Sequence, residues 1–403
     1  MYQNRYSGGF RHNNQSSNYH NSNKRRGGYK RNRFGGGKKL DRSLYIKKAE
    51  EFTKIEDFQT KNSFADFNLW PELLANVEAK GYVKPTQIQD QAIPHVMNNR
   101  DVLGIANTGT GKTAAFALPL IDKILKNPNE RIMILAPTRE LAQQIKQDIR
   151  SFTPGLRVYL ALAIGGAYLR EQIADIRRGP NIIIGTPGRI MDLGRRNVIN
   201  FGGLTTLVLD EVDRMLDMGF IGDIQTIVDQ IPRQRQTLFF SATIDRRVEG
   251  LIDNFLTNPV KITIKSANAS SHVEQDIVRV ARYAKEEKLC QLVGLPDFKK
   301  VLVFGSTRII VERLSASLVQ KGIRASGLHG GKKQNQRQKI VRDFRENRVR
   351  VLIATDVAAR GLDIADISHV INYDEPNNYE EYIHRIGRTG RVDNKGYALT
   401  FVE

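Results

Sequence analysis

"DVLGIANTGTGKT" runs from Asp101 to Thr113. A short apolar run ends at Ala106, glycines stand at 109 and 111, and Lys112-Thr113 opens a stretch with helical spacing. Strand, glycine-rich turn and helix in that order make a phosphate-binding P-loop. "ANTGTGKT" (106–113) departs from the pattern only at Ala106, which replaces the first glycine. The glycines let backbone N–H groups close around phosphates. A lysine placed as Lys112 reaches the β- and γ-phosphates, and a hydroxyl placed as Thr113 ligates Mg²⁺. A ligand-free turn between strand and helix could share this shape, so the loop needs a carboxylate partner to carry the reading.

"LTTLVLDEVDRMLDMGF" (204–220) supplies that partner. Its apolar run through Val208 and Leu209 breaks into Asp210, Glu211 and Asp213. Open α/β sheets bind ligands at the carboxyl ends of their strands, and the carboxylates fall there. Asp210 is expected to hold Mg²⁺ through water, and Glu211 to orient and deprotonate an attacking water. Val212 carries no charge or hydrogen bond, and its β-branching suits a strand end.

Outward from these two motifs the texture is α/β. Strand candidates "RIMILAP" (131–137), "NIIIGTP" (181–187), "TTLVLDE" (205–211) and "QTLFFSAT" (236–243) alternate with amphipathic stretches. A second series follows: "KVLVFGST" (300–307), "ASGLHG" (325–330), "VRVLIATDV" (349–357), "HVINYDEP" (369–376) and "YALTFV" (397–402). Near-continuous apolar runs separated by helical patterns predict parallel sheets covered on both faces. "IKSANASSHVEQ" (264–275), polar and small, reads as the linker between the two series. With 403 residues the chain is too long for one ordinary core.

In this setting the motif order closely resembles the DEAD-box ATP-dependent RNA helicases of superfamily 2, the signature being written here Asp210-Glu211-Val212-Asp213. The resemblance covers about Phe64 to Glu403. It implies two tandem RecA-like domains, at 61–265 and 272–403, that bind ATP and RNA across a cleft. "GYVKPTQIQ" (81–89) is similar to the Q motif, with Gln89 reading the adenine edge and Phe64 as its upstream aromatic; Gln87 stands where the family has Pro. Ala106, Asn107, Thr108, Gly109, Thr110, Gly111, Lys112 and Thr113 would then hold the nucleotide, with Asp363 on its ribose. "PTRELA" (137–142), with Pro137, Thr138 and Arg139, matches first-domain RNA contacts. So do Gly165-Gly166 and "TPGR" (186–189), with Thr186, Gly188 and Arg189. "SAT" (241–243) matches the coupling element, so Ser241 and Thr243, with Asp213 and His384, would link hydrolysis to strand separation.

Second-half motifs carry over in the same way. Arg308 of "VFGSTR", Gly330 of "HGG", Gln334 and Arg337 of "QNQR", and Thr355 of "ATDVAARGLD" would touch RNA. "HRIGRTGR" (384–391) would supply Arg388 and Arg391 as arginine fingers that reach the γ-phosphate only on closure. The implied activity is RNA-stimulated hydrolysis of ATP with local duplex separation or ribonucleoprotein remodelling. Two rivals share the motifs: an RNA clamp that binds ATP but hardly hydrolyses it, and a DNA translocase. Intact Glu211, Arg388 and Arg391 argue against the first, and the Q motif with "PTRELA" and "SAT" against the second.

Charge agrees with a polyanionic partner. The net formal charge is +19, and residues 1–40 hold ten Lys and Arg, seven Gly and no acidic residue. Such a segment buries too little apolar surface to fold. Residues 1–60 therefore read as a disordered basic tail, either an RNA-binding arm or a solubilising leader, with 44–52 as a possible short amphipathic helix. One cysteine, Cys290, excludes a disulfide framework and a cysteine-cluster metal site. His329 and His384 have no paired histidine beside them to bind a metal. No secretory h-region and no ~20-residue apolar run is present, so a cytoplasmic protein without a membrane span is expected.

Overall fold

The computed structural model describes residues 41–49, 59–107, 109–244, 246–264, 272–359, 364, 366–390 and 395–403. Readings made on the tail 1–40, on 265–271 and on Thr108, Asp363 and Arg391 lie outside the described residues.

Two sheets organise the chain. The first contains β1 (Val102–Ile105), β2 (Ile132–Leu135), β3 (Leu160–Ala163), β4 (Ile182–Gly185), β5 (Thr206–Leu209), β6 (Gln236–Ser241) and β7 (Val260–Thr263). Their order is β3-β4-β2-β5-β6-β1-β7, and every pairing is parallel. The second contains β8 (Val273–Arg279), β9 (Val301–Phe304), β10 (Ala325–Leu328), β11 (Val351–Ala354), β12 (His369–Asn372) and β13 (Gly396–Val402). It runs β10-β11-β9-β12-β13-β8, again parallel throughout.

Parallel strands need crossovers, and the helices between them cover both faces, which is why the central strands are apolar on both sides. On one face of the first sheet the helix Lys112–Lys126 buries Ala115, Phe116 and Leu118; Phe116 meets Phe240 of β6 at 5.5 Å between centroids. That ring leaves no room on β1, where a Cβ at Gly104 would sit 2.5 Å from Phe240. On the opposite face Met133, Leu207 and Phe239 pack with Met215 and Val212.

Three strands were not among the sequence candidates, and all are at sheet edges. β3 ("LALA") has alternate residues buried and β7 ("VKIT") only Ile262. β8 ("VEQDIVR") is mostly polar. β7 and β8 are not buried on both faces, so their sequences lack the continuous signal, whereas β3 lies within an apolar run at 158–164. β8 also takes up residues 273–275 of the expected linker.

The short helix expected over 44–52 is corrected for its described part. Residues Arg42–Tyr45 form a single 3₁₀ turn, capped by the Asp41 carboxylate accepting from the Ser43 N–H at 3.0 Å. From Ile46 the backbone is extended, and Lys47 pairs antiparallel with Gln275 of β8. Residues 41–49, assigned by composition to the tail, are thus packed on the second sheet. The edge of β8 offers backbone partners that an isolated amphipathic turn would lack.

Val212 also differs from expectation. β5 stops at Leu209, and Val212 is the first residue of the helix Val212–Asp217. Its side chain is wholly buried. Val212→Ala should therefore lower stability by about 2 kcal/mol, from lost burial and the cavity left behind. It should change turnover less than about threefold, a barrier shift below ~0.7 kcal/mol. Thermal melts and steady-state ATPase rates check both; a tenfold loss of turnover in folded protein would mean that the valine methyls position Glu211.

Candidate active site and nucleic-acid cleft

The P-loop begins where β1 ends. The Ala106 N–H donates to the Ser241 carbonyl at 3.0 Å, tying the loop to the end of β6. Asn107 accepts from the Thr110 hydroxyl at 2.9 Å. Gly109 and Gly111 have φ of +86° and +91°, a region that a side chain would strain. Gly111 caps the helix Lys112–Lys126 with no side-chain hydrogen bond, so the helix opens with its first N–H groups uncapped. Lys112 is buried and donates to the Ala106 carbonyl at 2.8 Å.

Gln89 stands behind this loop. Its amide oxygen accepts from the Thr86 N–H at 2.9 Å and its amide nitrogen donates to the Gly111 carbonyl at 3.1 Å. The Thr86 hydroxyl donates to the Thr110 carbonyl at 2.8 Å. The Q-motif residues therefore grip the P-loop backbone directly.

At the end of β5 the Asp210 N–H donates to the Leu135 carbonyl at 3.0 Å. Glu211 then takes the left-handed backbone, φ 54° and ψ 53°. A non-glycine residue there costs ~1–3 kcal/mol and persists where the surroundings enforce it. The turn reverses the chain into the helix Val212–Asp217 and leaves both carboxylates buried. Burial, reinforced by the neighbouring Glu211 and Asp213 charges, pushes the Asp210 carboxyl up to about 6. Burial opposes ionisation of Glu211 too, but Arg214, Lys112, Arg388 and His384 outweigh it and hold its carboxyl below the ordinary value. Arg214 lies 3.4 Å from Glu211. Asp213 accepts from the Thr243 hydroxyl at 3.3 Å, while Ser241 donates to the Thr243 carbonyl at 2.6 Å. The "SAT" element thus touches the last residue of the signature.

Gly109, Gly111, Lys112, Thr113, Asp210 and Glu211 line one cavity of about 250 Å³, and Arg388 from the second half closes it. Tyr82, Lys80 and Phe152 form another part of its wall; sequence reading missed them. Phe64 does not line it. It is buried behind Tyr82, ring centroids 6.0 Å apart. The donor set fits a magnesium nucleotide: Asp210 Oδ1 is buried without a hydrogen-bond partner and Glu211 Oε2 has only its ion pair with Arg214, in the cavity that Gly109, Gly111 and Lys112 also line.

Arg388 follows the helix Tyr379–Ile386, whose seat depends on Arg385, another residue missed from sequence. Arg385 bonds both Asp356 oxygens at 2.7 and 2.8 Å and Glu381 at 2.5 Å. It also donates to the Asp374 carbonyl at 2.8 Å. His384 and Arg388 share a small pocket beside it.

A second cavity, about 460 Å³, gathers most of the expected RNA contacts. Pro137, Thr138, Arg139 and Gly165 line it from one side. Thr186, Gly188 and Arg189 continue the wall, and Gly330 and Arg337 complete it from the second half. The Arg139 guanidinium lies against Gly165 and Gly166, where a Cβ would collide with it. Burial, with Arg337 and Arg189 nearby, lowers its pKa from the usual value. Glu140 pairs with Arg337 at 2.7 Å across the two halves, Arg337 buried and Glu140 partly so. Gln334 is buried and donates to Glu140 at 3.4 Å and Gln143 at 3.2 Å. Gln172 accepts from Arg189 at 3.2 Å. Arg308 and Thr355 follow β9 and β11 but do not line this cavity. Convergent arginines beside glycine backbone suit phosphates, with Glu140 as a counter-charge. Among the described residues no His, Cys, Asp and Glu cluster could hold a further metal ion, and no helix is long and apolar enough to cross a membrane.

Comparison with known proteins decides the family. Residues 86–251 match the DEAD/DEAH box helicase family and residues 284–393 the helicase conserved C-terminal domain. The chain is 42% identical over 341 residues to the ATP-dependent RNA helicase CshA of Limosilactobacillus reuteri, covering 84% of this chain and 69% of that protein. The chain is a member of the DEAD-box RNA helicase family. As a DEAD-box helicase it is an ATP-hydrolysing enzyme. Among solved structures, S. cerevisiae Dbp5 bound to RNA and ADP BeF3 is similar at 32% identity and a TM-score of 0.75, over 85% of this chain and 89% of that one. Mss116p bound to ssRNA and AMP-PNP is similar at 28% identity and a TM-score of 0.75, over 84% and 73%. Both sheets of this helicase accordingly belong to RecA-like α/β domains.

Proposed function

We propose that this helicase hydrolyses ATP between its two RecA-like domains and uses the cycle to separate short RNA duplexes or remodel ribonucleoprotein locally. The observation that carries the reading is Arg388, from the second domain, lining the same cavity as Lys112 and Glu211 from the first. Thr113 and Asp210 would hold Mg²⁺, which supplies charge neutralisation at the phosphate oxygens. Glu211 takes the proton of the attacking water, and its carboxylate is kept ionised by the cations around it. Lys112 leaves the Ala106 carbonyl for the phosphates. Arg388 meets charge that develops in the transition state, so it acts only when the domains are together. RNA gripped by Arg139 and Arg189 on one domain and Arg337 on the other favours that closed arrangement, and so promotes hydrolysis. Backbone contacts of this kind position RNA without reading its sequence.

ATPase rates without nucleic acid, with single-stranded RNA and with single-stranded DNA test the reading. Stimulation by RNA alone is expected. Equal stimulation by DNA would favour a translocase, and binding of both ligands without turnover would favour a clamp.

Gln89 is assigned two roles, adenine selection and restraint of the P-loop. Gln89→Ala should raise the KM for ATP roughly five- to tenfold, the worth of about one net hydrogen bond. It should also narrow the preference for ATP over GTP, because discrimination falls when a polar partner is removed. KM values for both nucleotides check this; an unchanged preference would leave Gln89 with the loop alone.

A further inference from the structure

Residues 41–49 lie outside both matched domains, yet they pack on the helix that leads into Arg388. Tyr45 is fully buried and clusters with Val273, Tyr382, Ile386, Ala398 and Val402. Its ring centroid is 4.7 Å from that of Tyr382, inside the helix Tyr379–Ile386. The Tyr382 hydroxyl donates to the Gln275 side chain at 2.9 Å. Gln275 in turn exchanges two backbone hydrogen bonds with Lys47, at 3.0 and 2.8 Å. Arg42 donates to the Glu403 carbonyl at 2.7 Å and pairs with Glu375 at 3.5 Å. The segment therefore fixes one face of this helix to the edge of the sheet. Arg385 fixes another through Asp356, and Arg388 emerges two residues beyond the helix end into the ATP cavity.

The chain then returns to the first domain beside the Q motif. The backbone N–H groups of Lys61 and Asn62 donate to the Asp90 carboxylate at 2.9 and 3.1 Å, next to Gln89. The residues before the helicase core thus hold an arginine-bearing helix at one end and the nucleotide-side helix Gln87–Met97 at the other.

We infer that Tyr45 is a positioning residue for ATP hydrolysis: with Lys47 it braces the helix Tyr379–Ile386 so that Arg388 is seated toward the cleft. The inference rests on the reading of Arg388 given above. Only the ring of Tyr45 is needed, because its hydroxyl is buried without a hydrogen-bond partner. A misplacement of about 1 Å at a reacting centre is enough to cost up to ~10²-fold in rate.

The test uses the full chain. Tyr45→Ala should lower RNA-stimulated kcat about tenfold, with the KM for ATP and the RNA-free rate unchanged. Tyr45→Phe should retain the full stimulated rate. Lys47→Pro, which deletes the N–H given to Gln275, should reproduce the kcat loss if Tyr45→Ala proves unstable. In an Arg388→Ala background Tyr45→Ala should cost nothing further, since residues acting through one group are not additive. A normal stimulated rate in folded Tyr45→Ala or Lys47→Pro, while Arg388→Ala is impaired, would overturn the brace and leave the arginine role standing. A normal rate in Arg388→Ala would remove the arginine role itself. An equal loss in Tyr45→Phe would mean that the ring is not what matters, and would also overturn the proposal.

Discussion

Arg388→Ala should bind ATP and RNA almost normally and lose RNA-stimulated turnover by ~10³-fold or more, the usual cost of removing an arginine finger. The residue is buried, lines the cavity with Lys112, Asp210 and Glu211, and lowers the carboxyl pKa of Glu211 by its charge. Uniform ground-state binding would appear in KM. A contact made only as the γ-phosphate departs appears in kcat. Single-turnover hydrolysis with saturating RNA is the deciding measurement, beside nucleotide binding by the same preparation. Stimulation at the parent level would mean that the cleft is catalytically complete without the second domain.

The second large effect is expected at Glu211. Glu211→Gln keeps the shape and the left-handed turn but removes the proposed base, so turnover should fall ~10²–10⁴-fold while ATP binding persists. Arg214, 3.4 Å away, keeps an oxygen beside it in the amide, so a folded variant is expected, and its melting curve verifies this. Parent-like hydrolysis would move the general base elsewhere, with Asp213 the nearest alternative in the signature.

Sequence reading served these sites unevenly. Lys112, Asp210 and Glu211 could be singled out from sequence because Asp210 and Glu211 directly follow the buried strand β5, and Lys112 opens the helix after the glycine turn behind β1. Arg139, Arg189 and Arg337 were singled out only through family resemblance, since a basic residue in the first turn of a helix looks the same in sequence whether it faces a ligand or water. Tyr82, Phe152 and Arg385 were not legible. Their roles come from neighbours far away in the chain, as when Arg385 meets Asp356 and Asn372. The edge strands β7 and β8 were missed for the opposite reason, half-exposed chains having no strong pattern to read. Residues 41–49 were misassigned because composition averages over a window in which one tyrosine finds a core.

The bridge between Lys47 and Gln275 has a consequence for how the protein behaves in a concentrated solution or a crowded cell. β8 is the outer strand of its sheet, and an outer strand presents unpaired N–H and C=O groups to any other extended chain. Here part of that row is occupied by the protein's own N-terminal side. Proteolytic loss of the first fifty residues would uncover Gln275 and the apolar pocket around Tyr382 together. The trimmed chain would then carry an open template for sheet-to-sheet self-association.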